Sequence, residues 1–397
     1  MRRRSAALEP GALPPHIVKL QEERRRKIAE DAAKKEVNEI QEGGTSSTSP
    51  RMNSSSSNQA NPSNVVRKTS FLDQVTQSAV KGESKTSNST NSKKDVAAAT
   101  VIKFRVGVHQ DQGVRFTMED AHSIEPQLDK LRPLAENSPS GVACHDSAFF
   151  GVYDGHGGSQ AAEYCLEYLP SVLVDSIVAR GEEEGDVAVI QDSLIVESFV
   201  RSFQTTDQQF LKHCWDNGIG NVGTTVTTVL CHNGVIYCGN AGDSRTVLCR
   251  KGKAMNLSHD HKPTDTNEET RIRKVGGFVV MGRVMGKLAV SRAIGDSQFK
   301  RKESRMMTEF GITGPLVVPD PDVTCTPIQP GNDEFIILAC DGLWDVSTSQ
   351  EAVTSVKAGL AAGKDPKSVS EDLVNNALRS GSRDNVTAMV VVFERQL

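Results

Sequence analysis

The sequence is poor in aromatic residues, with 2 Trp and 4 Tyr among 397 positions, and the shortage is uneven. Residues 1–100 hold one aromatic, Phe71, and no cysteine. Tracts such as "GGTSSTSPRMNSSSSNQANPSN" bury too little apolar surface to offset chain entropy, so this stretch is expected to be a disordered, basic, Ser-rich tail. Only "PPHIVKLQEERRRKIAEDAAKKEVNEIQ" has helical spacing, predicting a charged, solvated helix over residues 15–41. No apolar run approaches the length of a membrane span. After "MRRRSA" come Glu9, Glu22 and Glu23 and no apolar stretch, which disfavours a secretory or transit signal. None of the eight cysteines forms a C-x-x-C pair. Core thiols in a reducing compartment, cytoplasmic or nuclear, are expected instead.

Several catalytic motifs are also missing. No Gly-Lys pair precedes Ser or Thr, so there is no P-loop, and no cysteine is followed six positions later by arginine, as a cysteine-based phosphatase requires. "GIGNVG" at 218–223 fits G-x-G-x-x-G but runs into β-branched "TTVTTVL" where a dinucleotide site needs a helix. "LVVPDPDVT" imitates an aspartate-nucleophile site, yet prolines surround Asp320 and Asp322 and suggest a connector.

What is present begins near residue 101. Residues 1–100 carry 17 Lys+Arg against 11 Asp+Glu, and residues 101–397 carry 29 against 39, so a basic tail precedes an acidic body. The body reads as one domain, 101–397. "FRVGVH", "AFFGVY", "GTTVTTVLC", "GVIYCGNAG", "RTVLCRKG", "EFIILACDG" and "VTAMVVVF" predict strands. Asn233-Gly234 and "RKGK" predict hairpin turns. "SQAAEYCLEYLPSVLVDSI" and "IQDSLIVESFVRSFQTTDQQFLKHCW" predict helices. Hairpin-linked strands with helices between them make the expected class α+β, largely antiparallel sheet with helices packed outside it.

Acids recur at the strand ends. Asp154 follows "AFFGVY", Asp341 follows "FIILAC", Asp384 precedes "NVTAMVVVF", and Glu119 and Asp120 close "RFTMED" after the opening strand. Carboxylates gathered there would repel one another without cations, and hard divalent ions such as Mg²⁺ or Mn²⁺ take such oxygen ligands. Gly155 would let a backbone carbonyl approach an ion. His156 suits protonation of a leaving oxygen, and Arg115 offers a planar fork matched to phosphate. The combination points to metal-assisted hydrolysis of a phosphomonoester.

"RFTMEDAH", "FFGVYDGHGG", "GTTVTTVL", "GNAGDSRTVL", "LAVSRAIGD", "FIILACDGLWDV" and "SRDNVTAMVVV" together resemble the type 2C metal-dependent protein serine/threonine phosphatases, over roughly residues 103–394. The resemblance implies two packed antiparallel β-sheets flanked by α-helices, an α-β-β-α sandwich. It implies that Asp154 bridges two Mg²⁺ or Mn²⁺ ions, that Gly155 gives its carbonyl to one, and that Asp341 and Asp384 hold the other. Glu119 and Asp120 would act through water on the ions, and Asn385 would orient water. Asp243 and Asp345 match positions of a third ion in some members. Arg115 would hold the phosphoryl oxygens while His156 protonates the departing side-chain oxygen.

Substrates are then phosphorylated proteins. Segments such as "DHKPTDTNEETRI" resemble lower-eukaryote members that oppose stress-activated MAP kinase cascades, which points to a MAP kinase phosphothreonine. No nucleic acid or membrane partner is expected, and a monomer suffices. The basic "KRKESR" at 300–305 could select acidic or multiply phosphorylated substrates by charge. The competing class is a binding module that keeps the fold without turnover, and the presence of every acid weighs against it.

Overall fold

The computed structural model describes residues 103–131, 147–183 and 191–394, and the expected tail and its helix lie outside them. Along the chain come β1 (Phe104–Asp111), β2 (Ala121–Glu125), β3 (Ala148–Tyr153) and β4 (Gly155–His156), then the long helices α1 (Gln160–Glu183) and α2 (Asp192–Asn217). β5 (Gly223–Thr224), β6 (Val226–His232), β7 (Val235–Ala241), β8 (Arg245–Arg250) and β9 (Lys253–Asn256) follow. A segment of short elements contains α3 (Thr266–Lys274), β10 (Val279–Val280), β11 (Arg283–Val284), β12 (Ile294–Gly295) and α4 (Arg305–Glu309). The chain closes with β13 (Asp322–Pro327), β14 (Asp333–Ala339), α5 (Asp341–Trp344), α6 (Ser349–Ala361), α7 (Pro366–Arg379) and β15 (Val386–Phe393).

Two five-stranded sheets form, ordered β1-β15-β14-β8-β9 and β13-β7-β6-β3-β2. Every pairing within them is antiparallel. The side chains of each central strand alternate between two apolar environments. On β3, Phe150 and Val152 enter the cluster between the sheets, whereas Phe149 and Tyr153 enter the cluster that holds α1 and α2. On β14, Ile336 and Leu338 face inward, whereas Phe335 and Ile337 meet α6 and α7. Burial on both faces is why these strands read as continuous apolar runs and not as alternations. The expected α-β-β-α sandwich is the observed one.

Both predicted turns are tight and left-handed, with φ of 48° and 75° at Asn233 and Gly234 and of 54° and 73° at Lys251 and Gly252. Two expectations need correction. "GTTVTTVLC" is not one strand: it breaks at Thr225, whose N–H donates to the Asp154 carbonyl at 2.9 Å, so β5 joins a small sheet with β4 and β12 while β6 continues the large one. The connector expected around "LVVPDPDVT" becomes strand at Asp322, where β13 takes an outer place that tolerates proline. No helix among the described residues is long and apolar enough to cross a membrane.

One lysine of the basic insertion is spent inside the fold, and its other basic residues stay at the surface. Lys300 Nζ lies 2.6 Å from Asp207 Oδ1, with both side chains 6% exposed. Arg301 stacks over the Trp215 ring at 4.2 Å, and Arg305 pairs with Glu309. Charge selection of substrates by this stretch would therefore fall to Arg301, Lys302 and Arg305 without Lys300. Lys300→Met is expected to cost about 3–5 kcal/mol in a denaturant titration, because Asp207 is left charged and buried. Adding Asp207→Asn should recover much of that loss, and a single-variant cost below about 1 kcal/mol would contradict the assignment.

Candidate metal centre

Two Asp-Gly pairs lock the acid-bearing loops together. A Cβ on Gly155 would stand 2.3 Å from the Glu119 carbonyl oxygen, and one on Gly342 would stand 2.1 Å from that of Asn385. Each glycine thus lets a second acid-bearing loop lie directly on the first. Asp154 directly follows β3, Asp341 opens α5 and Asp384 stands two residues before β15. Glu119 and Asp120 precede β2 and do not close a strand, since β1 ends at Asp111.

The carboxylates converge in two overlapping groups. Ligand atoms of Asp154, Asp243 and Asp341 lie within 4.8 Å of one another, and so do those of Asp120, Asp154 and Cys340. Asp154 belongs to both groups. Burial raises its carboxyl pKa well above the usual range, and the negative charges of Asp341, Asp120, Asp243 and Asp384 add to the rise. Burial and then the Asp243 and Asp345 charges push Asp341 to about 7, while burial carries Asp120 to about 6 against hydrogen bonds from Thr387 and Cys340.

Asp120 Oδ2 accepts from Thr387 Oγ1 at 2.6 Å, whereas Oδ1 is buried with no hydrogen-bond partner. An orphaned buried oxygen beside mutually repelling carboxylates is what a hard divalent cation would satisfy. The donor set therefore fits Mg²⁺ or Mn²⁺.

The remaining expected residues surround this core. Asp384 accepts from Arg115 Nη2 at 2.5 Å, and Arg115 keeps 57% of its side chain exposed. Glu119 Oε2 accepts from the Gly158 N–H at 3.1 Å. His156 Nε2 lies 2.8 Å from Asp296 Oδ2. Burial disfavours the imidazolium, but the Asp296 charge and hydrogen bond outweigh it and leave the pKa above the ordinary value. Asn385 accepts from the Glu119 N–H at 2.8 Å and donates to the Gln112 and Thr117 carbonyls, both at 2.9 Å. These bonds tie down loop 112–119. Asp243 is buried, Asp345 is 66% exposed, and Lys262 Nζ stands 2.5 Å from the first and 3.9 Å from the second. An ammonium already occupies the space between the two acids expected to hold a third ion.

The family description "Protein phosphatase 2C" matches residues 104–386. The chain belongs to that family. Protein phosphatase 2C homolog 2 of Schizosaccharomyces pombe is 38% identical over 304 residues, 72% of each chain. Probable protein phosphatase 2C 22 of Arabidopsis thaliana is 37% identical over 293 residues, 74% of this chain and 69% of its own. A solved structure of serine-threonine phosphatase 2C from Toxoplasma gondii superposes with a TM-score of 0.58 at 25% identity, covering 73% of this chain and 95% of that one.

Type 2C phosphatases are metal-dependent hydrolases of the serine/threonine class, and the acidic cluster agrees with that chemistry. Four participants in this type 2C site escaped the sequence reading. Cys340 could have been found from its place beside Asp341, and Asp296 from the end of "LAVSRAIGD". Lys262 and Thr387 carry no local signal, because only tertiary contacts bring them to Asp243 and Asp120.

Proposed function

We propose that this chain hydrolyses phosphoserine and phosphothreonine in proteins at a binuclear Mg²⁺ or Mn²⁺ centre. The observation that carries the reading is the membership of Asp154 in both ligand groups, as a bridging carboxylate requires. Asp341 and Asp384 would hold one ion and the Gly155 carbonyl would serve the other, with Glu119 and Asp120 bordering the cluster. When bound, the cations lower the pKa of a water and offset phosphoryl charge.

The protein's own groups do the rest. Arg115 is already oriented by Asp384 and by the Arg383 carbonyl, which accepts from its Nε at 3.3 Å, and its remaining donors are available to phosphoryl oxygens. His156 delivers a proton to the departing side-chain oxygen. Lys262 partly neutralises Asp243 and Asp345, so a third ion there would have to displace an ammonium.

The proposal extends to a monomer in the cytoplasm or nucleus, in keeping with seven free cysteines among the described residues. Among substrates, a MAP kinase phosphothreonine is supported by the resemblance of "DHKPTDTNEETRI" and "DNVTAMVVVF". Phosphate release from a phosphothreonine peptide tests the reading. Turnover should require Mg²⁺ or Mn²⁺, vanish with a chelator and return on adding metal. Binding of Mn²⁺ without turnover would establish the binding module instead.

A further inference from the structure

The motif "LAVSRAIGD" ends in an aspartate that the mechanism above leaves unused. Asp296 is completely buried, and its backbone sits at φ 55°, in the left-handed region. Its N–H donates to the Val222 carbonyl at 2.8 Å. One carboxylate oxygen meets His156 Nε2 at 2.8 Å, and the other accepts from Asn221 Nδ2 at 3.4 Å. A buried carboxylate held in a strained turn needs a reason to be there.

The small sheet supplies it. In the order β12-β5-β4, His156 pairs with Gly223 and Gly223 with Gly295, so the histidine and the aspartate reach toward each other across Gly223. A Cβ at Gly223 would stand 2.4 Å from Asp296 Oδ2 and 2.5 Å from His156 Nε2. Position 223 thus has no side chain where the two groups meet. Behind the turn, the Gly295 N–H donates to Asp207 Oδ1 at 2.7 Å, and Asp207 is fixed in turn by Lys300. The carboxylate is therefore held from several sides.

We propose that Asp296 is the positioning residue for His156: by taking Nε2–H it fixes the ring and leaves Nδ1 as the atom that protonates the departing oxygen. This rests on the reading of His156 as general acid. In the step, the oxygen of an attacking water forms a bond to phosphorus as the ester P–O electron pair passes to the serine or threonine oxygen, which takes the Nδ1 proton. The neutral imidazole keeps Nε2–H on the Asp296 carboxylate. The logic is that of an acid that orients a histidine and selects its tautomer without itself accepting the proton.

Two substitutions suit the backbone. Asparagine tolerates φ near 55° and keeps the shape without the charge, and glycine removes the carboxylate at no conformational cost. Asp296→Asn, Asp296→Gly, His156→Gln and the double variant Asp296→Gly/His156→Gln are assayed at saturating Mn²⁺ on a phosphothreonine peptide and on p-nitrophenyl phosphate, whose leaving group needs little protonation. Asp296→Gly should lower kcat about 100-fold on the peptide and less than about 5-fold on the aryl phosphate, with Asp296→Asn between it and wild type. The double variant should be no slower on the peptide than His156→Gln. Equal losses on both substrates, no loss, or multiplicative losses in the double variant would overturn the proposal. If His156→Gln splits the substrates and the Asp296 variants do not, only the positioning role fails. If His156→Gln does not split them, the general-acid reading fails and this proposal with it. Should the glycine variant not fold, the asparagine variant decides.

Discussion

Asp154→Asn is expected to lower kcat at saturating Mn²⁺ by more than about 100-fold, beyond the 10–100-fold usual for groups that only support a metal ligand. Asp154 is the one carboxylate common to both ligand groups, so its loss would affect both ions of the proposed centre. The metal-free protein should respond in the opposite sense. Burial and the Asp341, Asp120 and Asp243 charges all raise the Asp154 carboxyl, so the folded wild type must hold a proton there that the unfolded chain releases, a cost that asparagine does not carry. The unfolded chain releases these protons near the ordinary value of 3.8, whereas Asp120 holds its proton to about 6 and Asp341 to about 7. Metal-free wild type should therefore lose stability as pH rises from about 4 to 7, and Asp154→Asn should lose less. Thermal melts across that range, without and with Mn²⁺, measure both effects. Near-wild-type turnover, or a variant less stable than wild type without metal, would contradict the assignment.

Gly342→Ala is expected to be nearly as damaging without removing a single ligand. Its Cβ would meet the Asn385 carbonyl oxygen at 2.1 Å, and a backbone atom there has no rotamer by which to retreat. Strain of this kind typically costs about 1–3 kcal/mol. Its larger consequence is geometric, because relief must move the segment carrying Asp384 and Asn385 away from Asp341. Mn²⁺ affinity should fall about 10–100-fold, as when the support of a metal ligand is lost. A denaturant midpoint and a Mn²⁺ titration read the two effects separately. An unchanged affinity would show that the close approach of the two loops does not set the site.

What the sequence made legible was the set of groups whose meaning is local. β3, β14 and β15 stand out as apolar runs because each is covered on both faces, and Asp154 and Asp341 stand out because each follows such a run directly. The site's supporting contacts were not legible, because they join distant positions. His156 and Asp296 are 140 residues apart and meet only through the register of β4, β5 and β12. Asn385 matched a motif, yet its use as a tie for loop 112–119 depends on a contact 266 residues away in sequence. Lys300 read as part of a charged surface stretch until its burial against Asp207 appeared. The break at Thr225 was hidden by uniform β-branched residues, since what interrupts the strand is the Asp154 carbonyl.

Calorimetric titration of Mn²⁺ into the metal-free 397-residue chain tests the central claim most directly. The account predicts at least two ions per chain, with Asp154→Asn weakening both, since one carboxylate serves the two ligand groups. A single ion, or two ions whose binding Asp154→Asn leaves unchanged, would contradict a bridged binuclear centre.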